Sequence, residues 1–220
     1  MEANAPQISG NQSSVQTNTV DLSKHQNLLV KQRHEIAEFF GFESRNKYQV
    51  SDAQGQPILF AAEQSKGFFG FLMRYFLGHW RTFEVFFFNP QRHLVFQAKH
   101  PFRFYFKRFE IYDASGRFLG ALQKRFSIFS KRFDVEDHRG MAIMEVSSPI
   151  WKIWTFPFKQ NGKEVASIKK KWSGIFSEAF TDKDNFMVEF TEQNLRNEER
   201  QVIVAAAIFV DMMYFEKKAS

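Results

Sequence analysis

Asp182 and Asp184 stand two residues apart in the stretch TDKDN, with Asn185 beside them. Three such hard oxygen side chains suit Ca2+, and Glu189 and Glu192 follow closely enough to add further oxygens. The same residues also make an Asx-rich turn entering a strand, because Phe186, Val188 and Phe190 recur at every second position. The turn is the simpler reading. The six histidines, His25, His34, His79, His93, His100 and His138, show no metal-binding spacing, and His100 before Pro101 reads as a turn residue. There is no GxSxG, no cysteine, no glycine-rich phosphate loop and no HExxH. Chemistry on covalent bonds is therefore not expected.

The basic side chains offer a different chemistry. Net charge is +6 and the isoelectric point about 9.5, which calls for an anionic partner such as lipid headgroups, nucleic acid or acidic protein. Most of the excess lies between Lys99 and Arg132, where Arg103, Lys107, Lys124, Arg125, Lys131 and Arg132 form a candidate patch for anionic lipid. A second cluster, Lys169, Lys170 and Lys171, reads as a solvated strand face or a further headgroup contact. Nucleic-acid binding is the least favoured partner, since rings between basic residues are better explained as one face of a strand.

These groups must be held by elements that the pattern predicts. Phe occurs 29 times in 220 residues while mean hydropathy stays at -0.39, so rings alternate with polar residues as in strands. Asx-led turns punctuate the chain at Asp52–Gly55, Asn89–Arg92, Asp113–Gly116, Asp137–Gly140 and Asn161–Gly162, and read as hairpin tips. Phe102, Phe104 and Phe106 alternate with Arg103, Tyr105 and Lys107 as a strand, and Trp151, Trp154, Phe156 and Phe158 form another with one register change. A long antiparallel meander hides its edges best by closing into a barrel, and a barrel of many strands needs a filling.

Gln201 to Phe215, QVIVAAAIFVDMMYF, supplies that filling. It is apolar on every face, so it belongs in a core or in lipid. From Arg200 to Phe215 a helix spans roughly 24 Å against roughly 30 Å of hydrocarbon, and Asp211 opposes insertion. The expectation is a central helix over about 200–215 inside a closed barrel, with a single C-terminal membrane anchor as the second choice. Residues 1–27 read as a disordered polar tail without the features of a signal peptide, and 28–220 as one domain. The segment from Leu28 to Ser44 opens as a strand, whereas Lys66–Trp80, rich in Phe and Gly, reads as a connection or edge helix before a membrane-touching element.

The chain resembles the phospholipid scramblase family of the Tubby-like superfamily. The resemblance rests on KYQV at Lys47–Val50, the turn at Gly55, FAAE at Phe60–Glu63, WSGIFSEAFTDKDNF at Trp172–Phe186 and IFVDMMYFE at Ile208–Glu216. It implies a closed antiparallel barrel of about twelve strands around a C-terminal helix, and calcium-stimulated, energy-independent movement of phospholipids between leaflets. It also implies a calcium segment at Asp182, Asp184, Phe186, Val188, Phe190 and Gln193. That segment lacks a glycine at its sixth position and ends in Gln193 instead of a bidentate Glu, so weak, millimolar-range affinity is expected. Lys169–Lys171 align with a stretch read as a nuclear import signal in some animal members. The palmitoylated cysteine cluster and proline-rich N-terminal region of many animal members are missing here. The expected setting is the cytoplasmic face of an anionic membrane, peripherally, with a homo-oligomer as the active form; a non-transporting module that binds phosphoinositides is the alternative.

Overall fold

The computed structural model describes residues 19–33, 44–64, 82–102, 106–152, 154–170 and 185–215. Twelve strands follow one another along the chain: β1 Asn27–Gln32, β2 Ser44–Ser51, β3 Pro57–Gln64, β4 Phe83–Phe88, β5 Leu94–His100 and β6 Arg108–Asp113, then β7 Phe118–Arg125, β8 Ser130–Glu136, β9 Ala142–Pro149, β10 Thr155–Gln160, β11 Lys163–Lys170 and β12 Asn185–Phe190. Each pairs antiparallel with its neighbour in sequence, and β12 returns to β1 with Val30 opposite Phe186. The sheet closes into a barrel, so no row of backbone donors is left for another strand.

Period two explains the closure. Val85 and Phe87 of β4, Phe109 and Ile111 of β6, Phe133 and Val135 of β8, and Phe156 and Phe158 of β10 are all buried. The helix that fills the space, α1 Asn197–Tyr214, is buried without a break from Arg200 to Met212. Phe109 stacks on its Phe209 with centroids 5.3 Å apart, and Phe133 meets the same ring edge-on. Ala205, Ala206 and Ala207 keep α1 slim where the rings of the wall crowd it. On β7 the wall itself gives way: a Cβ on Gly120 would run into the Glu136 carbonyl and lie 3.2 Å from the Val202 side chain.

The two ends of the barrel differ. At one end sit the tight turns, four of them locked by the leading side chain. Asp52 accepts from the amides of Gln54 and Gln56, Asp113 from those of Ser115 and Arg117, and Asp137 from those of Arg139 and Met141. Gly116 takes φ +87°, which a side chain would resist. This end also receives the start of α1. The connections from β5 to β6, β7 to β8 and β9 to β10 lie at the opposite end, where α1 finishes.

Several expectations need correction. Leu22, placed by sequence in the disordered tail, begins a 3-10 turn at Leu22–Lys24 and is fully buried against α1, its amide donating to Asn197 Oδ1 at 2.8 Å. His100 is the last residue of β5, buried and stacked on Phe83, instead of a turn residue. Phe102 and Phe106 are 42% and 43% exposed in the β5–β6 connection, outside any strand. Trp151 likewise leaves β10, and the register shift falls between Phe158 and Lys159. Lys66–Trp80, Phe104 and most of Trp172–Phe186 lie outside the described residues. No described helix is long and apolar enough to cross a membrane, and α1 is enclosed by the sheet instead of projecting from it as the anchor held as second choice would.

Candidate functional site

The end of the barrel where α1 stops collects rings and lysines. Phe215 stacks on Trp154 at 5.3 Å, Tyr214 on Phe156 at 5.9 Å, and Phe186 tilts against Phe215 at 5.7 Å. Two strands and the residue leading into β6 deliver an ammonium to this end, because each lysine lies two residues from an inward core residue. Lys131, two before Phe133, places Nζ 4.8 Å from the Tyr214 ring and 5.4 Å from that of Phe215. Lys170, two beyond Ile168, lies 4.2 Å over Phe215 and 5.2 Å over Phe186. Lys107, two before Phe109, reaches Met213 Sδ at 3.5 Å. Cations over ring faces are stabilised by the ring quadrupole. They also sit where the macrodipole of α1 is negative, a place that α1 itself leaves without a basic residue in its last turn. Burial among these rings pushes the Tyr214 hydroxyl up to about 12.

The expected basic patch therefore does not form one surface. Arg125 and Arg132 point outward and each meets a carboxylate, Asp134 at 2.6 Å and Glu145 at 3.6 Å. Lys107 and Lys131 turn inward at the mouth, and the half-buried Lys124 lies between them on the same rim, its amide donating to the Lys107 carbonyl. Arg103 lies outside the described residues. The second cluster divides in the same way. Lys169 pairs with Glu189 on the outer wall while Lys170 faces the rings, and Lys171 is outside the described residues. Consecutive residues of a strand alternate faces, so neither run can present a single solvated face.

The segment expected to bind calcium is pulled apart by β12. Asn185 opens the strand and Phe190 closes it, about 17 Å further along, with Gln193 beyond at the opposite end of the barrel. Phe186, Val188 and Phe190 point into the core. Both edges of β12 are paired, with β1 and with β11, so its carbonyls are committed to the ladder. Asn185 is buried and its Nδ2 has no partner among the described residues; Asp182 and Asp184 lie outside them. The described members of the segment do not fit one shared cation. Among the described residues no three His, Asp or Glu side chains gather as a metal site.

The other end of the barrel is closed by Arg200. Its guanidinium donates to the carbonyls of Leu195, Leu22, His25, Glu192 and Gln193 and lies 4.4 Å over the Phe190 ring. Desolvation pulls its pKa below the ordinary arginine value. This is a structural seal: it ties the N-terminal turn, the β12–α1 turn and α1 together.

A protein-family model described as Scramblase matches residues 6–217. The chain belongs to the Scramblase family. Among curated relatives it is 28% identical to human phospholipid scramblase 2 over 89% of this chain and 69% of that protein. It is 27% identical to human phospholipid scramblase 1 over 90% and 66% respectively. A phospholipid scramblase family protein of Schizosaccharomyces pombe is 21% identical over 86% of this chain and 59% of its own length. About a third of each human relative thus lies beyond the match. Among solved structures, an Arabidopsis thaliana protein aligns with 89% of this chain and 98% of its own at TM-score 0.49 and 8% identity. The architecture implied by family resemblance, a closed twelve-stranded barrel around a C-terminal helix, is the one observed here.

Sequence reasoning about this scramblase-family barrel missed the exposed rim. Phe126, Ile128 and Phe129 occupy the β7–β8 connection, and Ile150 and Trp151 the β9–β10 connection. A signal was present in RFSIFSKRF, Arg125–Phe133, where a hairpin tip carries large apolar residues in place of Asx and Gly.

Proposed function

We propose that this chain acts on phospholipid membranes in the manner of a scramblase, mediating or modulating energy-independent movement of phospholipids between leaflets. The observation that carries the reading is the Scramblase family match across residues 6–217, with curated relatives named phospholipid scramblases. The role needs no covalent chemistry and places the protein peripherally on an anionic membrane at its cytoplasmic face. Ca2+ stimulation belongs to the same proposal; it would have to work through Asp182 and Asp184 without Gln193, at weak affinity.

A second reading has its own support. Moving a headgroup through hydrocarbon requires a polar path, and a barrel filled by α1 offers none through its centre. That favours a module that binds anionic phospholipid or phosphoinositide membranes and transports nothing, or a transporting form that depends on an oligomer. Reconstitution into vesicles carrying a fluorescent lipid, followed by dithionite quenching, separates the two. A transporting protein leads to quenching well beyond the outer-leaflet half, and millimolar Ca2+ speeds it. Quenching that stops at the level of protein-free vesicles, with and without Ca2+, eliminates transport and leaves the binding module.

A further inference from the structure

Seven exposed large apolar side chains of the described residues lie at the end of the barrel where α1 finishes, and one, Met141, lies at the other. The most exposed are Phe126 at 74%, Trp151 at 72%, Phe129 at 70% and Ile128 at 69%. They come from two connections that lie side by side, since the Ile150 amide donates to the Phe129 carbonyl at 3.1 Å. The β7–β8 tip satisfies its polar groups internally: Ser127 and Ser130 hydrogen-bond through their hydroxyls at 2.7 Å, and the Ser130 amide donates to Ser127. With the serines turned to each other, the three apolar side chains are left facing out.

We infer that this rim is the membrane-docking surface: the tips at Phe126–Phe129 and Ile150–Trp151 enter the headgroup–acyl boundary of an anionic bilayer, with the barrel standing end-on. Charge decides in favour of lipid over a second copy or another protein. Lys131 lies two residues behind Phe129, and Lys107 and Lys170 border the same mouth, while Lys152 follows Trp151 directly and is exposed. Apolar and Trp tips with a basic band one or two residues behind reproduce the layering of a bilayer surface, hydrocarbon first and phosphate next. The outer wall does not offer this layering, because among the described residues none of the exposed large hydrophobics lies within a strand. The inference rests on the membrane role proposed above and adds the face and the orientation.

The test is sedimentation of the full chain with mixed vesicles of phosphatidylcholine and phosphatidylserine, the latter supplying the negative surface potential that attracts basic residues. Phe126→Ser/Phe129→Ser/Trp151→Ser replaces only largely exposed side chains, so the same thermal midpoint as wild type is expected, together with at least a tenfold weaker partition into vesicles. Met141→Ser, at the far end, leaves partition unchanged. The inference is overturned if the triple variant sediments like wild type, or if Met141→Ser loses as much. It is also overturned if wild type ignores these vesicles, or if the triple variant changes only the oligomeric state seen in buffer. Dithionite quenching with the reconstituted wild type judges the scramblase reading separately, so loss of the face does not count against transport.

Discussion

Tyr214 reports directly on the mouth of the barrel. Its ring stacks on Phe156 beneath the Lys131 ammonium, and burial raises its pKa from 10 to about 12. The neutral phenol is the form that the fold accepts. A folded pKa above the unfolded one contributes stability in full below pH 10; the contribution is lost as pH rises from 10 through 12, because the unfolded chain releases its proton first. Two units correspond to about 2 to 3 kcal/mol. Urea midpoints measured from pH 8 to 12 should fall in that window for wild type and fall less for Tyr214→Phe; parallel curves would mean that the ring is not enclosed. The residues of the expected calcium segment give the contrasting case. Their spacing in sequence looked compatible with one ion, yet Asn185 and Gln193 are held at opposite ends by an extended strand, which no choice of side chain can shorten.

Between elements, Gly120 is where β7 meets β8 and α1 with no room for a side chain. The residue's conformation is ordinary; what demands glycine is space, since Val202 and the Glu136 carbonyl already occupy the place of a Cβ. Gly120→Ala should cost about 1 to 3 kcal/mol, the usual range for an overpacked core, read as a lower thermal midpoint. Gly55→Ala provides the comparison: nothing lies within 4 Å of its Cβ position, and its cost comes from a φ of +82° alone. The hairpin tips were legible in the sequence because an Asx turn is local: the Asp or Asn side chain, the following amides and the Gly lie within five residues. The exposed tips at Phe126–Phe129 and Trp151 were not. Alternation told us that rings occur, but the strand ends that place them beyond the sheet depend on pairing with β8, β9 and β10.

As a whole the molecule is a sheet wrapped on its own last helix, sealed at one end by Arg200 and ringed at the other by lysines over aromatic faces. Enclosure on this scale has a kinetic consequence: α1 can reach solvent only by opening the barrel. Amides from Ile203 to Phe209 should therefore exchange hydrogen at the rate of global unfolding, and should stay as protected with anionic vesicles as without them. Protection lost on vesicle addition would show α1 leaving the barrel for lipid, the one route by which this helix could take part in transport.

The local patterns of the chain were enough to announce strands of alternating rings, Asx-closed hairpins and a helix with no polar face, and hence a barrel with a plug, because each depends on residues within a few positions of one another. Direction across the wall was not. Whether Lys131 faces rings or water, whether Arg132 meets Glu145, and which hairpin tips share an end with the finish of α1 are set by register between strands distant in sequence. A shift of one residue reverses every side chain on a strand, and only the closed sheet removes that freedom.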